Sequence, residues 1–244
     1  MQFLKNHPFA VDAHFESSLV LTFAAPKEQV QPLIPECLRL DTFDDTWAFI
    51  AIAMVQTRHL RPKGFPQFMG NDFFLIGYRV FVRYATSEGK RLRGLYIMKS
   101  ETNKRKMQFF GNAFTHYNYT TTDISQSVGK NVKTISSNKS KFRVEIDTTK
   151  GEVNLPTGSP FSSWKEARRF AGPLPNTFTV NAEDKSTLII KGVRSNWKPS
   201  PVKVNSYKFS FLDSLNLKGT VLANCFEIRD IPYSWNKGRL DSWG

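Results

Sequence analysis

Alternation at a period of two residues runs through segment after segment of this chain and constrains its fold more than any other feature. In DFFLIGYRVFVRY, residues 72–84, one face carries Phe74, Ile76, Tyr78, Val80 and Tyr84 and the other Leu75, Arg79, Phe81 and Arg83. KFRVEIDTT places Phe142, Val144 and Ile146 inside and Lys141, Arg143, Glu145 and Asp147 outside. The run WAFIAIAMV, residues 47–55, is apolar at both parities, which predicts a strand buried on both faces. FESSLVLTFAA, RLRGLYIMKSETN, YNYTTTDIS, NVKTISS, TFTVNAE, TLIIKGVRS, PVKVNSYKF and TVLANCFEI read as further strands.

Helical signals are few. PKEQVQPLIP is opened by Pro26 and closed by Pro35. KRKMQFFGNAF repeats Met107, Phe110 and Phe114 at three- and four-residue spacing. SSWKEARRF carries a capping box from Ser163 to Glu166. No strand-helix-strand alternation appears, and every connection suits antiparallel pairing. The expectation is an α+β fold of mostly antiparallel strands, a barrel-like or cone-shaped sheet with short helices packed on it. A chain of 244 residues with 21 Phe can build this as a single domain spanning 1–244.

Charge narrows the partners only a little. The net charge of +13 attracts polyanions. Zinc-finger spacing, a basic heptad region and an aromatic RNA-binding signature are all missing from the sequence, so nucleic acid is the less favoured partner. The opening MQFLKNHPFAVDAHF lacks a secretory signal, and the longest apolar run is too short for a bilayer. A cytoplasmic protein without a membrane partner is expected, with its oligomeric state open. Cys37 and Cys225 read as small buried thiols. His7, His14, His59 and His116 show no metal-ligand spacing, and no nucleophile elbow or phosphate-cradling glycine loop is present. Neither a metal nor a cofactor is implied.

The candidate site is built from polar groups at the ends of apolar strands, which converge on one cavity when a sheet closes. Two placements fit Arg79 and Arg83 equally, a wet outer face or a cavity wall. If it faces inward, Arg79 pairs an anionic group. Glu101 and Asn103 close another strand. GNAFTHYNYT, residues 111–120, concentrates polar and aromatic groups with no charged residue among them. There Tyr117 and Tyr119 would donate hydrogen bonds or stack, and His116 would be a structural histidine, a donor or a weak base. The acid-base candidates are His116, Tyr119 and Glu101; the ligand-contacting candidates are Arg79, Asn103, Asn112 and Tyr117. Trp197 reads as a core anchor, and Trp235 and Trp243 as covers for a sheet edge.

The stretch LVLTFAAPKEQVQPLIPECLRLDTFDDTWAFIAIAMVQTRHLRPKGFP resembles the opening of the YqjF-like family, uncharacterised and mostly bacterial proteins related in fold to acetoacetate decarboxylase. The shared pattern is Leu33-x-Pro35, then Leu38-x-Leu40-Asp41, then a strand ending at Arg61 to Gly64. Later segments agree more loosely. The resemblance implies a cone-shaped antiparallel barrel around a central cavity. In the decarboxylases a cavity lysine forms a Schiff base with a keto acid, within a pattern of glycine followed by tyrosine-proline-lysine-lysine. Gly111 and Tyr117 match that pattern, but Asn118 stands for the proline and Tyr119 and Thr120 for the lysines. A strand-start arginine of the decarboxylases falls on Glu16. The resemblance thus implies a protein that binds a small organic acid or carbonyl compound without the Schiff-base lysine. The alternatives are a lyase or hydratase acting on a small keto acid or lactone by acid-base catalysis, and a polyanion-binding protein using its basic surface.

Overall fold

The computed structural model describes residues 2–149, 151–172, 174–195 and 197–243. A short helix α1 (Gln2–Lys5) precedes β1 (Val11–Pro26), α2 (Lys27–Val30) and β2 (Leu38–Leu40). Next come β3 (Trp47–Pro62), β4 (Asn71–Ala85), β5 (Arg91–Thr102) and α3 (Arg105–Phe114). The strands β6 (Tyr119–Thr121), β7 (Ser125–Val128), β8 (Val132–Ser137) and β9 (Phe142–Asp147) lead to α4 (Trp164–Phe170). The chain continues through β10 (Asn176–Asn181), β11 (Ser186–Arg194), β12 (Ser200–Pro201), β13 (Val204–Phe209) and α5 (Ser210–Ser214), and ends with β14 (Val221–Trp235) and β15 (Arg239–Ser242).

Among the described residues, β14, β1, β3, β4, β5, β10 and β11 pair in that order, and β11 pairs back onto β14. The large sheet therefore closes on itself. Most neighbours are antiparallel, as the alternation predicts, but two pairs are parallel: β5 with β6 and β5 with β10. This corrects the expectation that every connection is antiparallel. The second parallel pair is the one that brings the β10–β11 hairpin round to complete the ring. A separate sheet, ordered β13-β9-β8-β7, lies against the outside.

Both faces of the barrel wall are covered, which explains the apolar run in β3. Outward, Leu19, Leu21, Phe23, Ile52, Met54, Phe74 and Ile76 pack against Ile135, Phe142, Val144 and Ile146 of the second sheet. Inward, Ala53, Val55, Leu75, Phe15 and Phe226 form another cluster. The buried thiol of Cys225 belongs to the outer cluster, and both cysteines are free.

Two β-bulges reverse the parity of the strands that carry them. At Glu16 the pairing of β1 with β3 slips, so Phe15 faces inward before it and Ser18 and Val20 after it. At Met98 the β4–β5 register slips, so Leu95 and Ile97 face inward before it and Ser100 after it.

Local signals hold in detail. Ser163 caps α4 by accepting from the Glu166 amide at 3.2 Å, while the Glu166 carboxylate turns to the Ser162 amide and hydroxyl at 2.7 and 2.8 Å. In the loop after β6, Asp123 accepts from the Ser137 hydroxyl and from the Lys139 amide at 3.0 Å. The Ser137 bond chiefly holds its pKa down at about 2. A carboxylate depressed this way stabilises the fold above the ordinary carboxylate range and loses that contribution as pH falls through about 2. Asp123→Asn should therefore flatten the acid limb of a stability-against-pH curve between about pH 4 and 2. An acid limb identical to wild type in chemical denaturation would contradict this. Among the described residues, no helix is long and apolar enough to cross a membrane.

Candidate functional site

The barrel interior holds a cavity of about 110 Å³. It exists because small side chains stand where larger ones would fill it: Ser18 on β1, Ala51 and Ala53 on β3, Ser100 on β5 and Gly192 on β11. Its aromatic walls are Phe15, Phe81, Trp197, Phe226, Tyr233 and Trp235. Trp197 both lines the cavity and packs against Phe226 of the inner cluster. Trp235 packs edge-on against Phe15 and tilted against Tyr233 inside the barrel instead of covering a sheet edge.

Two arginines enter this space. Arg79 comes from the inward face of β4, directly after Gly77 on the same face. A Cβ at Gly77 would lie 2.7 Å from the Arg79 Nε, so the guanidinium lies across the glycine. Arg83, four residues on, instead leaves the barrel to bond Asp41 at 2.6 Å, sharing that fully buried carboxylate with Arg93. The two placements open to Arg79 and Arg83 thus resolve differently for each. Arg194 enters from the end of β11 with its guanidinium over the Trp197 ring, 4.5 Å from the centroid. Burial lowers its pKa, the Tyr233 phenol beside it offsets part of this, and the nearby Arg79 charge lowers it further. Reading the sequence for site residues missed Arg194. Its signal was present as a repeated spacing, Gly77-x-Arg79 on one strand and Gly192-x-Arg194 on another.

No acid among the described lining residues answers these two cations. The Arg79 Nε and the Trp197 Nε1 are both sealed from solvent without a hydrogen-bond partner. Buried donors are nearly always paired, so these two are the unsatisfied donors of the cavity wall.

Tyr117 and Tyr119 complete the wall. The Tyr117 hydroxyl shares a 2.8 Å hydrogen bond with Thr177, and burial pushes its pKa up to about 12. Burial also raises the pKa of Tyr119, with the Tyr117 phenol adding to the effect and Arg79 opposing it. Both phenols are thus neutral donors at pH 7, suited to orienting an anion and not to removing protons. Tyr119 owes its position to Gly111, because any Cβ on α3 there would overlap its ring. Between the two tyrosines, Asn118 takes φ 50°. A proline cannot adopt that backbone, so this turn is not built like the tyrosine-proline-lysine-lysine run.

The remaining sequence candidates lie elsewhere. Glu101 faces outward beyond the Met98 bulge, where it accepts from Tyr78 at 3.1 Å and Ser140 at 2.6 Å and pairs with Lys99 at 2.9 Å. His116 is 3.3 Å from Asn6, its pKa lowered by burial and by Lys5, and it does not line the cavity. His116, Tyr119 and Glu101 are therefore not brought together as an acid-base set. Asn103 accepts from the Phe74 amide at 2.8 Å. Asn112 clasps both backbone groups of Tyr119, at 2.7 and 2.9 Å. Both asparagines hold the frame and do not face the cavity. Glu16 protrudes at its bulge to pair with Arg58 at 2.6 Å. Among the described residues, no cluster of His, Cys, Asp or Glu is arranged to hold a metal ion.

The fold recurs in solved proteins. An acetoacetate decarboxylase from Legionella pneumophila superposes with a TM-score of 0.64 at 9% identity, covering 96% of this chain and 88% of that one. The enduracididine biosynthesis enzyme MppR, solved with pyruvate, gives 0.54 at 11% identity, covering 96% and 90%. An acetoacetate decarboxylase-like enzyme from Sphingomonas wittichii gives 0.50 at 11%, covering 98% and 92%. At these identities the likeness establishes the fold alone, which is acetoacetate decarboxylase-like as the resemblance in sequence implied. No curated protein sequence matches the chain. The model of the family DUF2071, described as an uncharacterized conserved protein, matches residues 12–227, and this chain belongs to that family.

Proposed function

We propose that this protein binds a small organic acid in the barrel cavity, its carboxylate held by Arg79 and Arg194 and oriented by Tyr117, Tyr119 and Tyr233. The observation that carries this reading is the pair of orphaned buried donors, Arg79 Nε and Trp197 Nε1, beside two guanidiniums with no acid among the lining residues. A buried cation without a counter-charge is costly, and a bound carboxylate supplies both the charge and the missing acceptor. The pyruvate complex of MppR adds an analogy of fold, since a small keto acid is the ligand named for that protein.

Carbonyl chemistry through an imine forms no part of the proposal. A Schiff base needs an amine at the substrate, and no lysine is found among the described residues lining the cavity. Lys99 is held outside the barrel wall by Glu101 and lies over the Tyr78 and Phe211 rings. Binding without covalent chemistry is the reading the side chains support. Polyanion binding through the basic exterior has no comparable constellation behind it.

A thermal-shift panel separates these readings. Pyruvate, lactate and other small acids at about a hundred times their dissociation constants should stabilise the protein by roughly 2.7 kcal/mol at both low and high salt. Stabilisation by oligonucleotides alone, and only at low salt, would overturn the cavity reading in favour of the surface.

A further inference from the structure

A shared wall separates the arginine cavity from a neighbouring one. This second chamber holds about 350 Å³, and Leu75, Tyr117, Tyr119 and Trp235 line both. This size falls in the range of roughly 300–1,000 Å³ usual for small-molecule sites. Its own walls are apolar, chiefly Leu60 and Phe73 from the barrel and Met107, Phe110 and Phe114 from α3. Phe110 is 43% exposed, so the chamber reaches the surface along that helix.

Most polar groups around the chamber are already engaged. Arg61 donates to the carbonyls of Phe65 and His59, both at 2.8 Å, and Thr115 donates to the Gly111 carbonyl at 2.7 Å. The Lys106 ammonium lies over the Phe110 ring at 6.0 Å. His7 Nδ1 and Thr57 Oγ1 are buried and unpartnered, but they offer no charge, since burial lowers the His7 pKa. A space with such walls holds ordered water poorly and apolar matter well. Two adjacent chambers, one cationic and one apolar, are matched by a molecule with the same division.

We propose that the ligand is an amphipathic organic acid. Its carboxylate sits on Arg79 and Arg194, and its apolar chain passes Tyr117 and Tyr119 into the chamber walled by Phe73, Met107, Phe110 and Phe114. This rests on the anion-binding reading of the cavity and extends it to a ligand class. Tyr117 is tied to Thr177, whereas the Tyr119 hydroxyl makes no hydrogen bond among the described residues. Of the two, Tyr119 is the one whose ring a passing chain would have to displace.

Calorimetric titration of the full chain with straight-chain carboxylates from propanoate to dodecanoate, all kept below their micelle concentrations, tests this. Each added methylene should raise affinity about three- to fourfold until the chamber is full. Octanoate should bind at least a hundredfold more tightly than propanoate, and at least a hundredfold more tightly than 1-octanol. Phe110→Glu should abolish the gain with chain length. Because Phe110 is partly exposed, the variant should keep a wild-type unfolding midpoint, which a melting curve checks. Equal affinities for propanoate and octanoate, or an undiminished chain-length gain in a folded Phe110→Glu, would overturn the amphipathic ligand while leaving the anion cavity intact. Octanol binding as tightly as octanoate, or no acid binding at all, would overturn both.

Discussion

Under the proposed reading, Arg79→Met should weaken binding of small carboxylates a hundredfold or more and should make the unliganded protein more stable. Both effects follow from the same geometry. The guanidinium lies across Gly77 with its Nε buried and without a hydrogen-bond partner among the described residues, so that nitrogen carries a desolvation cost and no compensating bond. Removing an unsatisfied buried donor recovers about 1–3 kcal/mol. A charge-assisted, forked contact to a carboxylate is lost at the same time, typically about 1.5–3 kcal/mol for each charged bond. Methionine keeps the length and the apolar stem, so the β4 register is undisturbed. Arg79→Lys should fall between the two, keeping a charge without the planar fork. Affinity by calorimetry and stability by denaturant titration read the two effects separately. A variant with weaker binding and lower stability would mean that Arg79 is a structural residue with a partner in the empty protein.

Glu101→Ala should produce the opposite separation, with stability falling by about 3 kcal/mol and any acid binding unchanged. Glu101 is 2% exposed and fastens the barrel to the outer sheet, binding Tyr78 and Lys99 on one side and Ser140 on the other. Its loss leaves the Tyr78 phenol unpaired and the Lys99 ammonium without a counter-charge. For a chain of this size the unfolding midpoint should drop by roughly 6–12 °C. If Glu101 were instead an acid-base group at the ligand, activity or affinity would fall in a protein of unchanged stability.

The contrast between Arg79 and Glu101 shows what alternation can convey. The strands, their burial and the barrel-like sheet were legible because a period of two survives over most of each segment. Arg79 could be placed on one of two faces, and Glu101 could not be related to it at all. The extra residue at Met98 lies between them in the ladder and exchanges the faces of everything beyond it. The parallel closure of β10 on β5 was equally hidden, since it joins segments separated by three strands of the outer sheet, β7, β8 and β9. Of the candidates in the polar-aromatic run 111–120, only Tyr117 and Tyr119 line the cavity. Asn112 and His116 have the right chemistry and spend it on Tyr119 and Asn6. Arg194 shows the reverse case, with a signal present in the glycine-x-arginine spacing that only a closed barrel makes meaningful.

The central claim is that the orphaned Arg79 guanidinium receives a ligand's carboxylate, and the arginine Nε resonances in a nitrogen–proton NMR spectrum report on it directly. The Arg79 signal, assigned by its disappearance in Arg79→Lys, should shift saturably as octanoate or pyruvate is added, and its exchange with water should slow. Shifts confined to other arginines, with the Arg79 signal unmoved at saturating acid, would contradict the account.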